Sequence, residues 1–484
     1  MKKLLSIIAF VSFLIPLKAQ SNYCGTLFSE DQMVWLRNFQ NNYIPQDAGL
    51  RGGTTYYIPM KVHIVGTDDG IGYYNHTYLF TSICELNEHY AETGFVFYIY
   101  GEMDYIDNSD FYEHDWYDGE DMMDENNVDD LLNVYFVSDP AGNCGYFSPS
   151  DNGVAVAKSC AMPGGTTIAH EFGHFFSLPH TFYGWEYGIP DDEDQEWVNG
   201  ANCNSAADGF CDTPPDYLDY RWNCPGPLQT DPNGDTFFSD GTFYMSYSND
   251  ACTDKFSIEQ QDAMIANLLG PRNDLLDYPT PVYVDLTETP TPIVPLNDAV
   301  GLYPNYVYLE WTPVENATQY HLQISYSSGF SAIAHDVVTT NNYYEEKNLQ
   351  LDKKYYWRVR PLSPLNTCEA ASIAFNFTTG NVLTSVQESE IFNYFSVYPN
   401  PASSASTIDI TYQTDESFSG TMNLLDITGK TIMIEEITIN AGPDKLQLNL
   451  PELSEGIYFI QLNNGNKTDV LLSLIHISEP TRPY

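Results

Sequence analysis

HEFGHFFSLPH (170–180) is the stretch on which the reading of this chain turns. In a helix His170 and His174 are four residues apart and share one face, so both imidazoles can reach one metal ion. Glu171 then stands beside the metal instead of on it, placed as general base for an attacking water. Pro179 ends the helix and lets the chain turn back, which makes His180 the third ligand. Three protein ligands leave one coordination position open, as a catalytic zinc requires. A bare HExxH arises by chance in many helices, but with a third histidine at this offset the residues point to a zinc hydrolase.

Working outward, YIPMKVHIVG (57–66) alternates as a strand does, and 78–90 has helical spacing with Ile83, Leu86 and His89 among the periodic positions. FVFYIY (95–100), LLNVYFV (131–137) and GVAVAKS (153–159) read as further strands. The zinc helix should open at Gly165-Thr166-Thr167, capped by a threonine, and run to about Ser177. Strand, helix, strands and helix make a mixed sheet backed by helices. Before it, 21–53 is a short polar segment with one helical patch at 30–39.

Composition fixes the setting. The 484 residues carry 19 Lys+Arg against 66 Asp+Glu, a formal net charge of -47. Such a surface repels phosphate, which excludes nucleic acids and anionic membranes as partners. Hydrophobic residues at 43% and aromatics at 14% exclude a disordered acidic tail. A basic start, an apolar run over 4–17 and Lys18-Ala19-Gln20 read as a signal peptide, 1–19. No later stretch reaches the ~18 apolar residues of a transmembrane helix. In an exported chain the nine cysteines read as disulfides sooner than as thiols. Cys144 and Cys160 bracket a strand pair and can close it; Cys203, Cys211, Cys224 and Cys252 allow three pairings, and sequence does not choose among them.

The extended histidine pattern resembles the metzincin metallopeptidases. That family carries a Met-turn beneath the zinc, and FYMSYSNDAC (243–252) is the matching stretch. The resemblance makes Met245 the apolar floor under the imidazoles and Tyr247 a phenol that hydrogen-bonds the oxyanion of the tetrahedral intermediate. HTF (180–182), DGFCDTPPD (208–216) and YMSYSNDAC (244–252) narrow it to the pappalysin-like M43 peptidases over about 57–269. One departure is Ser177, where the family has glycine; a left-handed serine costs on the order of 1 kcal/mol. The family's DTP loop lies near calcium, which makes Asp212 and Thr213 candidates for a structural Ca²⁺ site. Cys24-Gly25-Thr26 resembles the cysteine switch of related propeptides, in which a thiolate takes the open zinc position and silences the enzyme; a disulfide or a spare thiol is the other reading of Cys24.

Beyond 279 the texture changes. A Pro-rich linker (280–291, with TETPTPIVP at 287–295) leads into short alternating strands, and LEWTPVENATQYHLQIS with YYWRVRP resembles a fibronectin type III domain over 292–380. Trp311, Tyr320, Tyr355 and Trp357 hold its core aromatic positions. From 390 to 471, YPNP (398–401), Gly429-Lys430 and Gly456-Ile457-Tyr458 resemble the C-terminal sorting domain of type IX secretion cargo. That resemblance implies the type IX machinery as partner, with passage through the periplasm and across the outer membrane to the cell surface or medium. The last residues, 472–484, resemble an in-frame sequencing-library adaptor instead of a natural terminus.

The expectation is an α+β metzincin domain over 56–279, behind a short pro segment (20–55) and followed by two β-sandwiches. Its function is that of a secreted zinc endopeptidase acting on extracellular proteins and peptides, the peptide lying along an edge strand. A silent surface adhesin on the same scaffold is the alternative; intact Glu171 and three histidines argue against it. A zinc enzyme for non-peptide amides is disfavoured by the Met-turn.

Overall fold

The computed structural model describes residues 22–475 apart from 27, 43–53, 283–284, 287, 381–391, 393, 401, 403–404, 427–429, 455 and 465–467. The expected signal peptide and residues 476–484 of the expected tail lie outside the described residues. The chain divides into two compact units, Met1–Gly380 and Asn381–Tyr484.

The main elements of the first part of the chain are, in order, β1 (Asn22–Cys24), α1 (Glu30–Asn42), β2 (Tyr56–Gly66), α2 (His76–His89), β3 (Phe95–Ile99), β4 (Asp104–Asp107), α3 (Trp116–Asn126), β5 (Leu132–Val137), β6 (Asn143–Ser148), β7 (Gly153–Ala157), α4 (Thr167–Phe175) and α5 (Ile258–Leu269). Seven strands form one sheet in the order β1-β6-β7-β5-β2-β3, with β4 also on β2. All pairs are parallel except β6 with β7. Every residue of β5 and β7 is buried, as continuous apolar runs in the middle of a parallel sheet must be. On one face Leu79, Ile83 and Leu86 of α2, Phe172 of α4 and Met264 of α5 join Val62, Ile64, Phe97, Val134 and Val154 in a single core. On the other, Met122 and Met123 of α3 cover Tyr135, Val137 and Ala155. The expected mixed sheet backed by helices is present.

Two local expectations are corrected. Thr166 precedes the zinc helix, yet its side chain makes no cap bond; its hydroxyl donates to Asp250 Oδ1 at 2.9 Å instead. The helix ends at Phe175, because Ser177 turns left-handed at φ 69°. Asn267 on α5 donates to the Ser177 hydroxyl at 2.8 Å, a contact that offsets part of the backbone cost of that turn.

The same unit continues into a sandwich of three- and five-stranded sheets, with Trp311, Tyr320, Tyr355 and Trp357 all buried in its core. The end of the Pro-rich stretch already belongs to it, since Pro292–Val294 pairs with Val307–Trp311. Four disulfides are present: Cys144–Cys160, Cys203–Cys211, Cys224–Cys252 and Cys84–Cys368. The last fastens α2 to the sandwich and was not expected. The second unit is a sandwich of three and four strands around Ile408, Ile410, Met422, Leu424, Leu448, Ile460 and Leu462. Its strand Thr468–Ile475 pairs with Gly456–Asn463, so Leu472 to Ile475, read as tail, sit within the sheet.

Candidate metal centre

Helix α4 presents His170 and His174 on one side, and the turn through Ser177 brings His180 back toward them. His174 Nε2 lies 3.1 Å from both His170 Nε2 and His180 Nε2. Each Nδ1 is occupied elsewhere: His170 with Tyr244 O, His174 with Leu178 O and His180 with Glu186 Oε1, all at 2.7 Å. Those acceptors fix the tautomers with the proton on Nδ1, so three bare Nε2 lone pairs face one point. Burial, together with neighbouring imidazoles, holds His170 and His174 well below the usual histidine range, hence neutral. Three imidazole nitrogens converging at this spacing fit a tetrahedral zinc ion.

Glu171 is fully buried beside them. Its Oε1 has no hydrogen-bond partner, while Oε2 accepts from the Thr26 hydroxyl at 3.0 Å and the Cys24 thiol at 3.4 Å. Burial, only partly countered by hydrogen bonds from Cys24 and Thr26, pushes its pKa up to about 8. Gly145 on β6 makes room for it, since a Cβ there would come within 2.9 Å of Glu171 Cγ. Gly173 does the same for Met245, which is fully buried beneath the helix; a Cβ at 173 would collide with the Met245 sulfur.

The N-terminal segment lies across this centre. β1 extends the sheet by pairing with β6, and Gly25 N–H donates to Gly145 O at 2.9 Å. Cys24 is the one free cysteine of the described residues, and its sulfur lies within 4.8 Å of a ligand nitrogen on each of the three histidines. Burial, then the charge of Glu171, pushes its thiol up. Tyr247, packed with its ring 4.8 Å from that of His180, donates its hydroxyl to the backbone carbonyl of Cys24 at 3.1 Å. A cavity of about 270 Å³ lined by Tyr23, Cys144, Cys160, Thr167, Arg221 and Asp250 includes none of the three histidines in its wall.

Asp212 and Thr213 do not converge. Asp212 is exposed and accepts from Glu259 N–H at 2.9 Å. The Thr213 hydroxyl bonds the buried Asp208 at 3.0 Å. Burial pushes Asp208 up to about 8 and Glu196 to about 9. The orienting carboxylate of Glu186 was missed in the sequence, as was Thr26 as a partner of Glu171.

Residues 151–269 match the family model described as Pregnancy-associated plasma protein-A, of the M43 peptidases. This stretch is pappalysin-like. Residues 396–475 match the Secretion system C-terminal sorting domain. An extracellular metalloprotease of Colletotrichum graminicola is 25% identical over 247 residues, 45% of this chain and 77% of that one. Another, from Podospora anserina, is 30% identical over 149 residues, 27% of this chain and 44% of that one. Among solved structures, FN3tt shares 19% identity over 20% of this chain and 100% of its own, with a TM-score of 0.15; that superposition carries no argument. The family model and these relatives support a metalloprotease, and the sorting-domain match supports a secreted or cell-surface protein. No helix among the described residues is long and apolar enough to cross a membrane.

Proposed function

We propose that the chain is a secreted zinc endopeptidase held latent by its own N-terminal segment. His170, His174 and His180 are the residues that hold zinc. When bound, zinc supplies a Lewis acid that polarises the scissile carbonyl and lowers the pKa of the attacking water. Glu171 Oε1, the unpartnered carboxylate oxygen, takes the water proton and returns it to the leaving amine. Tyr247 donates to the carbonyl oxygen as charge builds there; its present bond to the Cys24 carbonyl is the same kind of contact, with a backbone amide standing in for substrate. Met245 floors the imidazoles. Substrate peptide lies along the free edge of β6 by strand addition, the edge that β1 now fills.

In this reading Cys24 is the zymogen switch, the residue whose sulfur would hold the metal alongside the three histidines. The domain layout proposed is a signal peptide (1–19), pro segment (20–55), peptidase (56–279), linker (280–291), fibronectin type III-like spacer (292–380) and type IX sorting domain (390–471). The observation that carries the proposal is the trio of Nε2 atoms, that of His174 lying 3.1 Å from each of the other two, each freed by a bonded Nδ1.

The test uses the full chain with disulfides formed, nicked between residues 26 and 56, on gelatin and a peptide library with and without chelator. Cleavage that needs zinc and is lost in Glu171→Ala with zinc retained supports the proposal. Stoichiometric zinc with no cleavage after nicking sinks it and favours a silent binding protein.

A further inference from the structure

The sandwich turns a polar face to the peptidase. By register Gln323 stands opposite both Asp336 and Arg358, and His321 opposite Arg360, while Tyr320, Leu322 and Ile324 point into the core. The start of α2 sits on that face: His76 N–H donates to Asp336 Oδ2 at 3.0 Å, and Gln323 Nε2 to the Thr77 hydroxyl at 2.8 Å. His321 Nε2 contacts Asp336 Oδ1. His76 Nδ1 lies 3.3 Å from Asp336 Oδ2, yet it is buried without a hydrogen-bond partner. Ligand atoms of the two histidines and the aspartate all lie within 4.8 Å of one another.

A buried imidazole nitrogen left unpaired is costly, and this one lies 3.3 Å from a carboxylate oxygen, with a second imidazole beside its ring. Tyr105 OH is 2.5 Å from His76 Nε2, which can hold the ring proton there and leave Nδ1 a bare acceptor. Two imidazoles and a carboxylate are a donor set that suits zinc-class ions. Both histidines are almost fully buried, at 4% and 2% exposure. We propose that His76, His321 and Asp336 form a second transition-metal site that clamps the sandwich to helix α2. Arg360 on the same face adds positive charge, so this site binds zinc more weakly than the three-histidine centre.

Zinc titrated into the full chain after chelation and desalting tests this, read as equivalents bound. The wild type should take up two, and Asp336→Asn and His174→Ala one each. His321→Ala, whose fold is checked by circular dichroism, should match Asp336→Asn. A single equivalent in the wild type that survives Asp336→Asn and is lost in His174→Ala overturns the proposal and leaves an ion-pair latch. A single equivalent lost in Asp336→Asn and kept in His174→Ala supports it while removing the three-histidine reading. No zinc bound at all overturns it.

Discussion

Two histidine clusters in this chain are built in opposite ways. The three-histidine centre comes from one helix and the turn after it, so eleven consecutive residues specify it. The His76–His321–Asp336 cluster is assembled from segments up to 260 residues apart, on the seam of two substructures. In the first, every ring nitrogen not aimed at the metal position has a dedicated acceptor. In the second, one nitrogen is buried without a partner. The three-histidine centre thus has its orientation fixed by an outer layer of hydrogen bonds, whereas the second cluster takes its order from the elements it joins.

The largest expected effect separates the two by activity. Glu171→Ala should lower kcat by roughly 10³-fold, the scale of general-base loss, with zinc content unchanged; a rate within a few-fold of wild type would remove Glu171 from the chemistry. Next, replacing Cys84 and Cys368 together by serine should cost about 2–4 kcal/mol of stability, read as a lower denaturant midpoint. An unchanged midpoint would mean the sandwich is clamped without it.

How much of this was legible follows from the same contrast. The i, i+4 histidines and Glu171 were readable because helical geometry alone sets their relation. Ser177 was readable as left-handed only through the family resemblance, which has glycine at that turn. Glu186 was not, since among 66 acidic residues a carboxylate that orients a histidine has no local mark. Cys84 and Cys368 were equally silent, because pairing depends on tertiary approach and not on spacing. The capping expectation at Thr166 failed because Asp250, a residue of the Met-turn loop, competes for its hydroxyl.

Smaller effects sharpen the picture of how the centre is supported. Glu186→Gln should weaken zinc binding at the three-histidine centre by about 10- to 100-fold, measured by competition with a chromophoric chelator in the Asp336→Asn background. An unchanged affinity there would show that the carboxylate does not orient His180. Thr26→Val removes a hydroxyl that bonds both Glu171 and Phe147 N–H, worth about 1–2 kcal/mol, and should quicken release of the N-terminal segment. The check is the lag before activity after nicking; an unaltered lag would place the hold entirely on Cys24. Ser177→Gly should change stability least, because relief of the left-handed backbone is offset by loss of the bond from Asn267; a denaturant midpoint shifted by more than about 1 kcal/mol would break that balance.

The central claim is that three imidazoles hold zinc with the Cys24 sulfur across from them until the segment leaves. X-ray absorption at the zinc edge, on Asp336→Asn chain loaded with one equivalent, tests it directly. Before nicking, the account predicts three nitrogen scatterers at about 2.0 Å and one sulfur at about 2.3 Å, with the sulfur lost once the segment is removed. A zinc shell of nitrogen and oxygen alone in the intact chain would contradict it.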